Sequence, residues 1–114
     1  VSLDSYGGKP DAVPLNFLDP RPGTPLESLP VMTAEECLAA IAVFRLVLPC
    51  THLLLCGGRD RALGRRPGDA LRAGATGIMI GDYLTTRGED ACADLAMIRD
   101  AGFAAETPSR RPAP

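Results

Sequence analysis

Few side chains in this 114-residue chain can do chemistry, and they are scattered. Four are thiols, Cys37, Cys50, Cys56 and Cys92, and His52 is the single imidazole. No two cysteines stand at CxxC or CxxxCxxC spacing, so a complete zinc or iron–sulfur site built by this segment alone is not expected. One histidine excludes any pair of imidazoles. At 46% hydrophobic residues the chain can bury a core without disulfide staples, so the thiols are expected to be reduced, as in a cytoplasmic protein. The remaining unusual polar and glycine residues gather at three places: Asn16 to Asp19, Cys56 to Asp60, and Gly81 to Thr86. Each has a structural use as well as a chemical one. Asn16, a lone amide in the apolar run AVPLNFL, can satisfy loop backbone or hold a ligand with both donor and acceptor. Asp19 can close an Asx turn before Pro20. Cys56 can be a small buried thiol, and His52 a satisfied core or rim residue of a strand.

The elements around these positions follow from pattern. Ala12 to Leu18, Thr51 to Cys56 and Thr76 to Ile80 read as short apolar strands. Thr33 and Glu36 form a T-x-x-E capping box that opens a helix over 34–48, ended by Pro49. Pro67 at a first helical position starts a second helix over 67–73, with Gly74 as its terminator. A third helix is expected over 89–101, and Arg59 to Arg66 as a polar loop. Alternating strands and helices, with strands apolar on both faces, predict an α/β fold with a parallel sheet. Three such units cannot close an eightfold barrel of about 250 residues, and an open three-stranded sheet would expose both edges. The expectation is therefore a partial (β/α) TIM-type barrel, with function at the C-terminal ends of its strands. Residues 1–11 read as an incoming loop, 12–103 as the folded unit and 104–114 as a disordered tail.

Twelve Lys and Arg against fourteen Asp and Glu give a net charge of −2 with no basic run, which argues against nucleic acid and anionic membrane surfaces as partners. No apolar stretch approaches the roughly 20 residues of a membrane span. The chain begins with Val1 and no signal peptide precedes it, which reads as part of a longer protein.

Five segments in register point further. VPLNFLDPRPGTPLE (13–27), AIAVFRLVLP (40–49), LCGGRD (55–60), AGATGIMIGDYLTT (73–86) and EDACADLAMIRDAGF (89–103) together resemble the C-terminal part of the biotin synthase family. The resemblance covers residues 12 to 103. It implies a radical S-adenosylmethionine enzyme on a barrel, inserting sulfur into dethiobiotin to form biotin. It also implies a homodimer, a 4Fe–4S cluster that cleaves S-adenosylmethionine and an auxiliary 2Fe–2S cluster. The family's CxxxCxxC motif belongs to the N-terminal barrel half and is absent here, so this segment alone is expected to be inactive. By the same resemblance, Asn16 matches a residue that binds the ureido ring of dethiobiotin. Thr85 and Thr86 match a pair that grips the substrate carboxylate, a task suited to neutral donors beside a helix start. Asp19 falls near the adenosyl group. Leu54 stands where the family has an arginine that ligates the auxiliary cluster, which puts that cluster in doubt. Strand alternation places His52, Leu54 and Cys56 on one face, so Cys56 is the candidate substitute ligand. A related barrel with another substrate, or a non-catalytic remnant, are the alternatives.

Overall fold

The computed structural model describes residues 8–64, 66–81 and 90–106. Three parallel strands form its sheet: β1 (Ala12–Leu15), β2 (His52–Leu55) and β3 (Gly77–Ile78), in the order β1-β2-β3. The register pairs Ala12 with His52 and Leu15 with Leu55, then Leu54 with Gly77. Asp11 and Leu15 accept bonds from the N–H groups of His52 and Cys56, and Phe17 donates to Gly57. Odd-numbered residues of β1 therefore carry the ladder. Pro14 falls on the outer edge, where a missing N–H breaks no bond within the sheet.

Helix α1 (Ala34–Val47) starts at the expected box. The Thr33 hydroxyl accepts from the Glu36 N–H at 3.2 Å, and the Glu36 carboxylate accepts from the Thr33 N–H at 2.8 Å. Arg45 closes its other end. The guanidinium donates to the carbonyls of Leu48 and Pro49 at 2.8 and 2.9 Å and to Gly74 O at 2.8 and 3.0 Å. That capping satisfies terminal carbonyls that a helix leaves without partners.

Two short helices follow β2: α2 (Arg59–Leu63) and α3 (Pro67–Ala73). The first corrects the expectation of a polar loop over 59–66. Helix α2 has Gly58 in a left-handed conformation as its N-cap and no side-chain cap, so no Ser, Thr, Asp or Asn announces it. Helix α4 (Ala91–Asp100) is capped by Asp90, whose carboxylate accepts from the Cys92 N–H at 3.2 Å. The strands are shorter than their apolar runs suggest, although backbone bonds continue past the ends of β1 and β2, from Cys56 N–H to Leu15 O and from Phe17 N–H to Gly57 O.

One face of the sheet is covered. Leu15, Phe17, Leu53 and Leu55 pack with Cys37 and Ile41 of α1, Ala62 and Leu63 of α2 and Ala70 of α3. Burying each large aliphatic or aromatic side chain there contributes about 1.5–3 kcal/mol. On the other face Ala12, Pro14, Asn16 and His52 are exposed and Leu54 is half-buried. Leu54 lies across Gly77: a Cβ on Gly77 would stand 2.5 Å from the leucine Cδ2. A three-stranded parallel sheet with helices is thus the architecture of the described residues. No helix among the described residues is long and apolar enough to cross a membrane.

Candidate functional site

At the C-terminal ends of β1 and β2 the backbone is sewn across the strand exits. Cys56 N–H donates to Leu15 O, and Phe17 N–H donates to Gly57 O, each at 2.9 Å. Between them Asn16 Oδ1 accepts the Gly57 N–H at 3.0 Å. A backbone donor requires the oxygen of the amide, so this bond sets which way round the group sits. Both Nδ2 hydrogens then face outward from an exposed residue, and no partner among the described residues takes them. Asn16 presents donors.

Gly58 makes this approach possible. Its φ is 78°, a left-handed value that side chains disfavour. A Cβ there would overlap the Phe17 carbonyl oxygen and stand 2.8 Å from the carbonyl carbon.

Asp19 is engaged by arginines. Arg61 Nη1 donates to its Oδ1 at 2.6 Å, and Arg21 donates to its Oδ2. The Arg61 hydrogen bond holds the Asp19 carboxyl below its ordinary value of 3.8, with both arginine charges adding to the effect. This ties the loop after β1 to α2, though exposed pairs of this kind contribute little stability.

The charged pair at the site that sequence reasoning missed is buried. Arg59 Nη2 donates to Asp94 Oδ2 at 2.7 Å, with the two side chains only 2% and 4% exposed. The same nitrogen lies 3.5 Å from Met79 O, and Nη1 lies 3.6 Å from Asp60 Oδ1. Asp60 adjoins Arg59 in the sequence. Nothing in the sequence marks Asp94, 35 residues away. A cavity of about 170 Å³ opens beside this pair between α2, α3 and α4, lined in part by Gly64, Pro67 and Met97.

Cys56 is buried, with its Sγ donating to Leu54 O at 3.6 Å. Burial pushes its thiol above the ordinary 9.0, and the nearby Arg59 charge only partly opposes this. The four cysteines are free, Cys37 buried in the core and Cys50 and Cys92 exposed. His52 sits exposed at the start of β2, its Nδ1 3.4 Å from the Thr76 hydroxyl. No group of three His, Cys, Asp or Glu able to hold a metal ion occurs among the described residues. These residues do not by themselves fit an iron–sulfur cluster. Thr85 and Thr86 lie outside the described residues.

Residues 14–104 match the Biotin and Thiamin Synthesis associated domain. The chain belongs to that family. The match contains both strand exits, the Gly57–Gly58 turn and the Arg59–Asp94 pair. Among curated relatives, the chain is 49% identical over 98 residues to the biotin synthase of Anaeromyxobacter sp. (strain Fw109-5), covering 86% of this chain and 27% of that protein. It is 55% identical over 94 residues to the biotin synthase of Acidothermus cellulolyticus, covering 82% and 28%. The biotin synthase of Trichlorobacter lovleyi is 50% identical over 93 residues, with the same coverage of 82% and 28%. This Biotin and Thiamin Synthesis associated domain thus spans little more than a quarter of the length of those relatives.

Proposed function

We propose that this chain is the C-terminal, substrate-binding part of a biotin synthase, an enzyme that inserts sulfur into dethiobiotin. The observation that carries the reading is the Asn16 amide at the strand exits, oriented by Gly57 so that its N–H donors are presented outward. A ureido carbonyl is a matching acceptor, and binding it would satisfy both partners as they leave water. The relatives at about half identity supply the reaction class.

The three parallel strands would take their place in a (β/α) barrel whose N-terminal half comes from the rest of the enzyme. The exposed face holding Ala12, Pro14, Asn16 and His52 would then look into the barrel. Thr85 and Thr86 are proposed to hold the substrate carboxylate, and Asp19 to lie near the adenosyl group. S-adenosylmethionine with its 4Fe–4S cluster would supply the radical that activates the substrate, on ligands outside this segment. The work of this segment is to bind, orient and shield dethiobiotin.

The auxiliary cluster is a different matter. Leucine cannot ligate iron, and Leu54 packs over Gly77 where the family has its arginine. Cys56, just past the end of β2, is the thiol nearest that position in sequence. To ligate iron it would have to give up its hydrogen bond to Leu54 O and lose a proton that burial favours keeping. A cluster of altered ligation, or none, follows from that pair of residues.

Anaerobic calorimetric titration of dethiobiotin into the full-length protein tests the function. Saturable binding at one site per chain is expected. No binding with S-adenosylmethionine present would overturn it.

A further inference from the structure

We propose that Arg59 is a positioning residue for Asn16, acting through the Gly57–Gly58 turn; the proposal rests on Asn16 binding dethiobiotin. Arg59 is the first residue of α2 and follows that turn directly. Among the described residues its guanidinium links its own strand exit to the end of β3 through Met79 O and to α4 through Asp94. One guanidinium nitrogen, Nη2, reaches both the Asp94 carboxylate and Met79 O, while Nη1 faces Asp60, so the group holds several partners from one rigid plane. Burial fixes the arrangement, because the Asp94 carboxylate at 4% exposure would be strongly unfavourable without the arginine.

The lever arm is short. Two residues before Arg59, the Gly57 N–H holds Asn16 Oδ1 at 3.0 Å, and between them Gly58 sits against the Phe17 carbonyl. Neither glycine has a side chain to anchor the turn. Its place is set by the Phe17 and Asn16 bonds on one side and by the buried arginine on the other. If Arg59 relaxes, Gly57 moves with it, and so does the direction in which Asn16 presents its donors. Displacements of about 1 Å at a binding group are enough to lower turnover or affinity substantially.

The test uses the full-length enzyme and steady-state kinetics with dethiobiotin. The paired substitution Arg59→Met with Asp94→Leu removes both buried charges together, so that neither is left unpaired. It is expected to raise KM for dethiobiotin roughly ten-fold or more, with kcat little changed. Combined with Asn16→Ala, it should add almost nothing, since the group it positions is gone. Arg59→Lys should raise KM to an intermediate value. If the paired variant does not fold, Arg59→Lys carries the test in the same two backgrounds. A KM equal to that of the parent, or an effect fully additive with Asn16→Ala, overturns the role of Arg59. If Asn16→Ala itself leaves KM unchanged, the dethiobiotin reading fails instead.

Discussion

Gly58 lies against the carbonyl of Phe17 so closely that a Cβ on it would stand 2.8 Å from the carbonyl carbon and overlap the oxygen. Its φ of 78° adds a second obstacle to any side chain. Gly58→Ala is therefore expected to cost roughly 2–5 kcal/mol, combining left-handed strain with backbone displacement. Gly64 also has positive φ, at 56°, but no atom of the described residues lies within 4 Å of a Cβ there. Gly64→Ala should cost only the strain of a side chain held at this φ with ψ −116°, about 1–3 kcal/mol. Urea unfolding of the two variants checks the difference, and equal losses would remove the role of the Phe17 contact.

Removing the hydroxyl at the start of α1 should be felt separately. Thr33→Ala leaves the Glu36 N–H without its 3.2 Å acceptor and is expected to destabilise the chain by about 1 kcal/mol. Thr33→Ser should restore most of the loss. A thermal midpoint for Thr33→Ala matching the parent would show that the box contributes nothing.

That capping box is also where sequence and structure agree most closely, because both partners lie within one turn and need only local spacing. Pro67 at the first position of α3 was legible for the same reason. Helix α2 was not, since its N-cap is a left-handed glycine rather than a polar side chain. The Arg59–Asp94 pair joins residues that only the tertiary fold brings together. Asn16 could be singled out as a lone amide, but the direction of its donors came from Gly57, 41 residues away. Cys56 was placed on one face with His52 and Leu54 by alternation. In the fold His52 is exposed, Leu54 half-buried and Cys56, just past the end of β2, buried.

Acid should loosen the loop after β1. The Asp19 carboxyl is lowered below 3.8, first by its hydrogen bond from Arg61. A group depressed in the folded state contributes stability above its unfolded value and loses it as pH falls through the folded value. The Asp19–Arg61 tie is thus fully present at neutral pH and weakens progressively once pH falls below about 4, through the depressed folded value. Thermal midpoints from pH 7 to pH 3 at low salt should show Asp19→Asn below the parent at neutral pH and converging with it in acid. A constant gap across that range would contradict the assignment.

The thiols should divide into two classes. Burial raises Cys56 and also Cys37, where the Glu36 charge adds to the effect. Cys50 and Cys92 are exposed. Because the thiolate is the reactive form, limited iodoacetamide at pH 8 should modify Cys50 and Cys92 well before Cys37 and Cys56. Peptide mapping by mass spectrometry reads the order directly. Cys56 labelled as fast as Cys50 would mean an open thiol there.

Asn16→Asp separates holding the turn from holding the substrate. The carboxylate keeps an acceptor for the Gly57 N–H at the position where Oδ1 now accepts at 3.0 Å, but it has no N–H to donate. The decisive measurement is the dethiobiotin Kd of the full-length enzyme carrying Asn16→Asp, beside its unfolding midpoint. Binding is expected to weaken by at least about 1–3 kcal/mol, the cost of leaving a buried carbonyl unpaired, while the midpoint stays near that of the parent. A parental Kd in that folded variant would contradict Asn16 as the residue that binds dethiobiotin.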